Sequence, residues 1–362
     1  MTAALTGLRV LETGRHLGVA AAGMYLTALG ADVVQVRHRP RSVERAESAY
    51  YDRGRRVVEP GPAARPLPAA ADVILTDLAD PELAAAGVPV DVSDLRRGPR
   101  AQVLVTIRSF GRTGPNRDLR MTDLTEWASS GLATVTRRPR PADSDEYAPM
   151  LPPGCQPQAL AGLAAATAAV VGRRAARWRH EPVVADVSVQ EVVAAMLHGI
   201  LPHYVYYGIV TGHPSTPLTA SGMLLPAADG DVYLRTLDPR QWDALMAWVG
   251  DEAIAAVGAD PDSRLANHDA ITVLLAQWTA DQRRHELLEE GQRRRIPIAL
   301  PRSLDDVLAW QHLRARGVWR SVDLDGRQAT VPRVPLLEPP GWRVTEAVDA
   351  AAVADEWLAV GP

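Results

Sequence analysis

The chain has 362 residues, is 47% hydrophobic and 23% charged, and carries a formal net charge of −4. At roughly 100–200 residues per domain this means two or three domains, with enough apolar content for a sizeable core, which excludes a mostly disordered chain. The slight acidity argues against a dedicated nucleic-acid binder. The single cysteine, Cys155, excludes an intrachain disulfide and a cysteine metal cluster, and a cytoplasmic location is expected.

All 39 basic Lys/Arg residues are arginine. Without lysine there is no Schiff-base chemistry, no internal pyridoxal linkage and no P-loop lysine. The depletion of lysine, asparagine and phenylalanine points to a GC-rich bacterial genome, not to a function. Met1 to Val10 lacks an apolar leader segment, so no secretory signal is expected. The longest apolar run, Ala159 to Gly172, is shorter than the ~20 residues of a membrane span, so no membrane partner is expected.

In chain order, Leu8 to Glu12 reads as a short buried strand, Val19 to Leu29 has helical spacing and stops at Gly30, and Ala31 to Val36 is a second strand. That strand–helix–strand unit predicts a parallel sheet. Ala71 to Leu75 and Val103 to Ile107 are further strand-like runs. Arg137 to Pro153 is a Pro- and charge-rich loop. Ala159 to Val171 is an alanine-rich helix, Val183 to Val187 a strand, and Val189 to Ile200 an apolar helix. Pro202 to Pro217 reads as a linker. Beyond it, Gly222 to Pro226 and Asp231 to Thr236 flank an Asp229-Gly230 turn, a hairpin signal. Amphipathic helices are predicted over Pro239–Val249, Asp269–Trp278 and Asp281–Gln292. From Gly317 the chain is β-like and Pro-rich.

Several places can carry chemistry. The turn after the first strand reads Glu12-Thr13-Gly14-Arg15-His16-Leu17-Gly18, either a ligand loop or an ordinary βα connection. Ser109 to Pro115, with two glycines and Arg108 and Arg112, is either an anion cradle or a tight loop. The nine histidines show no metal-ligand spacing, so no metal is expected. Cys155 sits just before a helix, where a thiol is either acidified or simply packed. Runs such as Arg293-Arg294-Arg295 are solvated faces or phosphate contacts.

Taken in order, these segments resemble the class III CoA-transferases (CaiB/BaiF), a family that includes formyl-CoA transferase and α-methylacyl-CoA racemase. The resemblance runs from Leu5 to about Arg316. It rests on Leu5-Thr6-Gly7-Leu8-Arg9-Val10-Leu11-Glu12, Leu29-Gly30-Ala31-Asp32-Val33-Val34-Gln35-Val36, Asp52-Arg53-Gly54-Arg55-Arg56-Val57 and Ala71-Asp72-Val73-Ile74-Leu75. It continues through Ile107 to Pro115, Asp123 to Gly131 and Ala228 to Leu234.

The resemblance implies an α/β fold: a Rossmann-like parallel-sheet domain (1–205), a smaller α+β domain with linkers (206–316) and a C-terminal return (317–362), as an interlocked homodimer. It implies acyl-CoA or coenzyme A as a substrate and no tightly bound cofactor. The CoA pocket maps to His16, Leu17, Arg37, His38, Arg108, Ser109 and Phe110. The family's nucleophilic aspartate, four residues before a helix glycine, falls on Gln158 when counted back from Gly162. A neutral amide cannot form the mixed anhydride, so another nucleophile is needed, with Cys155, Asp123 and Glu126 as candidates. The racemase histidine position holds Thr122, and the position of one CoA-binding arginine holds Ala85. Three functions fit: an acyl-CoA-processing transferase of bacterial secondary or acyl metabolism, a non-catalytic partner of an active paralogue, or an enzyme repurposed to a reaction without CoA, for which a biosynthetic pathway is a natural home.

Overall fold

Val10, Val33, Val73 and Val103 are buried in one apolar cluster, and their chain neighbours Leu11, Val34, Ile74 and Leu104 are buried in a second. Alternate residues of a strand face opposite ways, so these strands form a sheet covered on both sides, as parallel sheets are. In the computed structural model, which describes residues 3–37, 50–136, 150–208, 222–324, 327–334 and 346–359, that sheet has seven strands. They are β1 (Arg9–Thr13), β2 (Asp32–Val36), β3 (Arg56–Val58), β4 (Val73–Thr76), β5 (Val103–Arg108), β6 (Val183–Ser188) and β12 (Glu346–Ala347). Their order is β12-β3-β2-β1-β4-β5-β6, and every pairing is parallel. The strand order turns around at β1, which has β2 on one side and β4 on the other. A crevice at the carboxyl ends of such a pair is where open α/β sheets bind ligands.

Four helices build the walls of that crevice: α1 (Leu17–Ala28), α2 (Asp80–Ala85), α3 (Asp123–Ser129) and α4 (Gln156–Arg179). α1 and α4 cross closely because Gly162 presents no side chain: a Cβ there would lie 2.5 Å from Ala21 Cβ and 2.7 Å from the Gly18 carbonyl. α4 runs 24 residues, well beyond the predicted Ala159–Val171. By length and composition it is therefore long and apolar enough for a membrane span, a correction to the expectation from its apolar run. Its Ala161, Ala165, Ala169 and Ala176 face is nevertheless buried in the first cluster, so it is a core helix of the sheet domain.

The chain divides into two compact units, Met1–Gly212 with Val318–Pro362, and His213–Gly317. In the second, β7 (Gly222–Ala227), β8 (Gly230–Arg235) and β9 (Ile298–Ala299) form an antiparallel sheet. Met223, Leu225, Val232 and Leu234 pack there against Trp242, Leu245, Ile271 and Leu275 from the helices. Near the end of the first unit, β10 (Trp319–Leu324) and β11 (Arg327–Pro332) pair antiparallel.

Three local expectations change. The helix from Val189 ends at Ala194 and passes into a 3-10 turn over Ala195–Gly199. The start of the expected linker is helical, Leu201–Tyr207; its remainder from 209 to 217 lies outside the described residues, as does most of the 137–153 loop. The Pro-rich C-terminal region ends in a helix, Ala350–Ala359, whose Val353, Ala354 and Trp357 cover the second face of the sheet.

Candidate functional site

At the carboxyl ends of β1, β4 and β5 lies a cleft of about 900 Å³. Its floor is the turn between β1 and α1. Gly14 allows the Asp77 carboxylate to come close: a Cβ on Gly14 would sit 2.1 Å from Asp77 Oδ1. The backbone N–H groups of Arg15 (2.8 Å) and His16 (3.0 Å) donate to that carboxylate. Leu17 N–H donates to Gln158 Oε1 at 3.0 Å, and Gly18 N–H to His16 Nδ1 at 3.3 Å. The donors at the start of α1, a ready anion site by its dipole, are thus met by the protein's own side chains.

The opposite wall is arginine-rich but locally neutral. Arg108 pairs with Asp80 (2.6 Å), which also meets Arg112 (3.4 Å). Arg15 and Arg120 pair with Glu82 (2.9 and 3.3 Å), and Arg117 with Asp118 (3.4 Å). Burial pushes the Asp80 carboxyl up, but the hydrogen bond and charge of Arg108, joined by Arg112, outweigh it and hold the group below its ordinary value. Glu82 is also held low, first by the Ala79 backbone N–H and then by Arg15. In the Ser109–Pro115 loop, the Arg112 N–H is taken by Asp186 Oδ2 at 2.8 Å.

Gln158 is the third residue of α4 and lines the cleft, as do Cys155, Asp123, His16, Leu17, Arg108 and Ser109. Cys155 caps α4 in a left-handed conformation, φ 38° and ψ 43°. Glu126 stands one turn into α3, wholly buried, behind His16 and Ser109. Arg37 and Phe110 do not line the cleft; Arg37 is exposed and pairs with Glu59 at 3.5 Å. His38 lies outside the described residues. Ala85 lines a separate cavity of about 240 Å³ together with Arg65.

The sequence reading missed Asp77, Asp80, Glu82 and Asp186, the carboxylates that neutralise the cleft's donors. The signal was present for two of them: Asp80-Pro81-Glu82 after a strand is a helix N-terminus with its acidic first turn.

A family model, CoA-transferase family III, matches residues 5–345, and the chain belongs to that family. The succinate–glutarate CoA-transferase of Agrobacterium fabrum is 25% identical over 92% of this chain and 89% of its own. The alpha subunit of the succinyl-CoA–L-malate CoA-transferase of Chloroflexus aurantiacus is 23% identical over 94% of this chain and 84% of its own. Among solved structures, a CaiB/BaiF family protein from Brucella suis superposes with a TM-score of 0.77 at 21% identity, covering 99% of this chain and 100% of that one. The α/β fold expected from the sequence is thereby established.

Proposed function

We propose that this family III chain acts on an acyl thioester or a related carboxylic acid, in secondary or acyl metabolism, without an aspartyl-anhydride intermediate. The observation that carries this reading is Gln158: a neutral amide at the third position of α4, on the cleft wall, tied to Leu17 N–H. An amide nitrogen is not a nucleophile toward a thioester, but the side chain can hydrogen-bond a carbonyl. The ion pairs of Arg15, Arg108, Arg112, Arg117 and Arg120 support weak binding of the CoA phosphates, because each guanidinium already has a carboxylate partner. The reading includes a homodimer, supported by exposed apolar residues such as Trp178, Tyr204, Val205 and Tyr206 on one unit; light scattering tests it.

The alternative is a non-catalytic subunit beside a competent paralogue. The substitution at position 158 fits it, and one relative is itself an alpha subunit. Two measurements decide. Calorimetric titration with CoA and a panel of acyl-CoAs tests ligand binding. Intact mass after acyl-CoA exposure, with and without hydroxylamine, tests for an adduct at residue 158. Binding without an adduct supports the proposal; an adduct at 158 defeats it. Absence of any acyl-CoA binding leaves the subunit or CoA-free readings.

A further inference from the structure

Glu126 is fully buried, and a buried carboxylate is costly unless paired and hydrogen-bonded. Its Oε1 accepts from Ser109 Oγ at 2.8 Å and lies 3.0 Å from His16 Nε2. Its Oε2 is buried with no hydrogen-bond partner among the described residues. A carboxylate kept only for packing satisfies both oxygens. This one gathers both its donors on one oxygen, directly behind two residues of the cleft wall.

The neighbours of the imidazole fix its proton. Nδ1 accepts the Gly18 N–H, so Nε2 carries the hydrogen and donates it to Glu126. The ring is 13% exposed and lines the cleft near Gln158. The other charged or titratable groups around it are committed elsewhere or stand on other walls. Asp77 takes backbone donors, Arg15 pairs with Glu82, and Arg108 with Asp80; Asp123 and Cys155 lie on the walls formed by α3 and α4. Glu126 is thus the carboxylate paired with the imidazole among the described residues.

We infer that His16 is an acid/base residue of the cleft and Glu126 its positioning residue, and that the acyl acceptor carries a transferable proton: a hydroxyl, thiol or amine. A carboxylate acceptor has no proton to give at neutral pH, so a base beside it would be idle. In the step this implies, the acceptor heteroatom bonds to the acyl carbon as its proton passes to Nδ1. This displaces the long cap hydrogen bond from Gly18. The C–S bond then breaks, and the imidazolium returns the proton to the leaving thiolate. Ester, thioester or amide and free thiol are the products, and no further reactant is needed. An imidazole held by a carboxylate is the arrangement that makes such a base effective. The acceptor class rests on the acyl-thioester reading above; the dyad does not.

Carbethoxylation by diethyl pyrocarbonate, followed by peptide mass spectrometry on the full chain, reads the dyad without CoA. His16 is modified in the wild type, and Glu126→Gln slows it on the order of tenfold, since a charged acceptor is exchanged for a neutral one. The rates at His180 and His285 stay unchanged. Equal His16 rates in the two proteins overturn the dyad, as does a wild-type His16 that resists the reagent while His180 reacts. If Glu126→Gln does not fold, long-range 1H–15N spectra of the wild type decide: Nε2-protonated His16 supports the assignment and Nδ1-protonated His16 overturns it.

A second arm mixes acetyl-CoA with cysteamine, ethanolamine or glycerol, and separately with succinate, and follows thiol release. Release with the first group that is lost in His16→Gln supports the acceptor class. Release with succinate alone, or none in protein that binds acetyl-CoA by calorimetry, overturns it. Failure to bind acetyl-CoA defeats the thioester reading and with it the acceptor class, while the carbethoxylation result still decides the dyad.

Discussion

Gln158 Oε1 accepts the Leu17 backbone N–H at 3.0 Å, joining the first turn of α4 to the first turn of α1 across the cleft floor. The side chain therefore does for α1 what a capping residue does, from another helix. Gln158→Ala leaves that N–H without its partner and should lower stability by about 1 kcal/mol. Gln158→Glu keeps the acceptor and adds a negative charge near two helix N-termini, a change of about 0.3–1 kcal/mol in the stabilising direction. Urea unfolding midpoints check both. An alanine variant as stable as the wild type would show that the bond contributes nothing.

Gly162→Ala tests the close crossing on which that bond depends. The new Cβ would lie 2.5 Å from Ala21 Cβ, 2.7 Å from the Gly18 carbonyl and 3.0 Å from Ala22 N. Two of these are backbone atoms, which have little freedom to shift. The expected cost is about 1–3 kcal/mol by overpacking. The helices must also part, so Cys155 on the cleft wall should alkylate faster in Gly162→Ala. An unchanged rate would mean the crossing relaxes without opening the cleft.

Most of the sheet was legible because Val10/Leu11, Val33/Val34 and Val103/Leu104 sit in short continuous apolar runs, each bounded by polar or glycine residues. β3 and β12 were not, because Arg56–Val58 and Glu346–Ala347 are too short to show a period and owe their pairing to neighbours far along the chain. The position of Gln158 on α4 was implied by the family resemblance, which sets a site residue four positions before Gly162; the residues alone placed the helix from Ala159. The burial of Glu126 was not: Thr125-Glu126-Trp127 reads as an ordinary amphipathic step, and only the fold brings His16 and Ser109 onto that carboxylate. Asp77 was missed for the same reason: its partners Arg15 and His16 are 62 and 61 residues away, beyond any local pattern.

At the opposite end of the sheet, Asp72 is surrounded by arginines. Arg9, Arg100, Arg96 and Arg173 lie at 3.2, 3.0, 3.5 and 3.7 Å from its oxygens, and the carboxylate is almost fully buried. Burial pulls the Arg96 and Arg173 guanidiniums below their ordinary value, while Asp72 pulls them back up. Asp72→Ala removes the carboxylate that these four guanidiniums share. The expected loss is about 3–5 kcal/mol, or failure to fold. Thermal unfolding of Asp72→Ala and Asp72→Asn checks this. A loss under about 1 kcal/mol in both would show that the backbone carbonyls around the arginines suffice.

Acid should loosen the α2 side of the cleft first. Glu82 is held below its ordinary value of 4.5 by the Ala79 N–H and by Arg15. A depressed folded value means that the carboxylate's stabilising contribution is complete above 4.5 and is lost as pH falls through the lower folded value. Hydrogen exchange along Asp80–Ala85 should therefore rise only as the pH falls below the ordinary carboxylate value of 4.5. Glu82→Gln should show the faster exchange already at neutral pH and lose its acid dependence there. An acid response unchanged by Glu82→Gln would assign it to another group.

Asp80 decides whether the cleft can recruit a polyanion. Its carboxylate holds Arg108 at 2.6 Å and Arg112 at 3.4 Å, and both side chains also donate to backbone carbonyls, Arg108 to Leu78 and Arg112 to Val90. Asp80→Asn therefore leaves two guanidiniums anchored in place and without their countercharge. A phosphate or pyrophosphate reaching them gains charge-assisted hydrogen bonds. Because Asp80 is about half exposed, solvent screening limits the gain, and CoA affinity should rise about tenfold rather than more. The gain should shrink as salt is raised past the point where the Debye length falls below about 8 Å. Mild acid does not mimic the substitution, since the two arginines hold the Asp80 carboxyl below its ordinary value of 3.8. Calorimetry with CoA and with inorganic pyrophosphate, in Asp80→Asn and in Asp118→Asn as a control for the exposed Arg117 pair, makes the comparison. A rise equal in both variants would reflect net charge alone. No rise in Asp80→Asn would mean that the ion pairs do not limit CoA binding, and that the geometry of the Arg108 and Arg112 donors is wrong for phosphate.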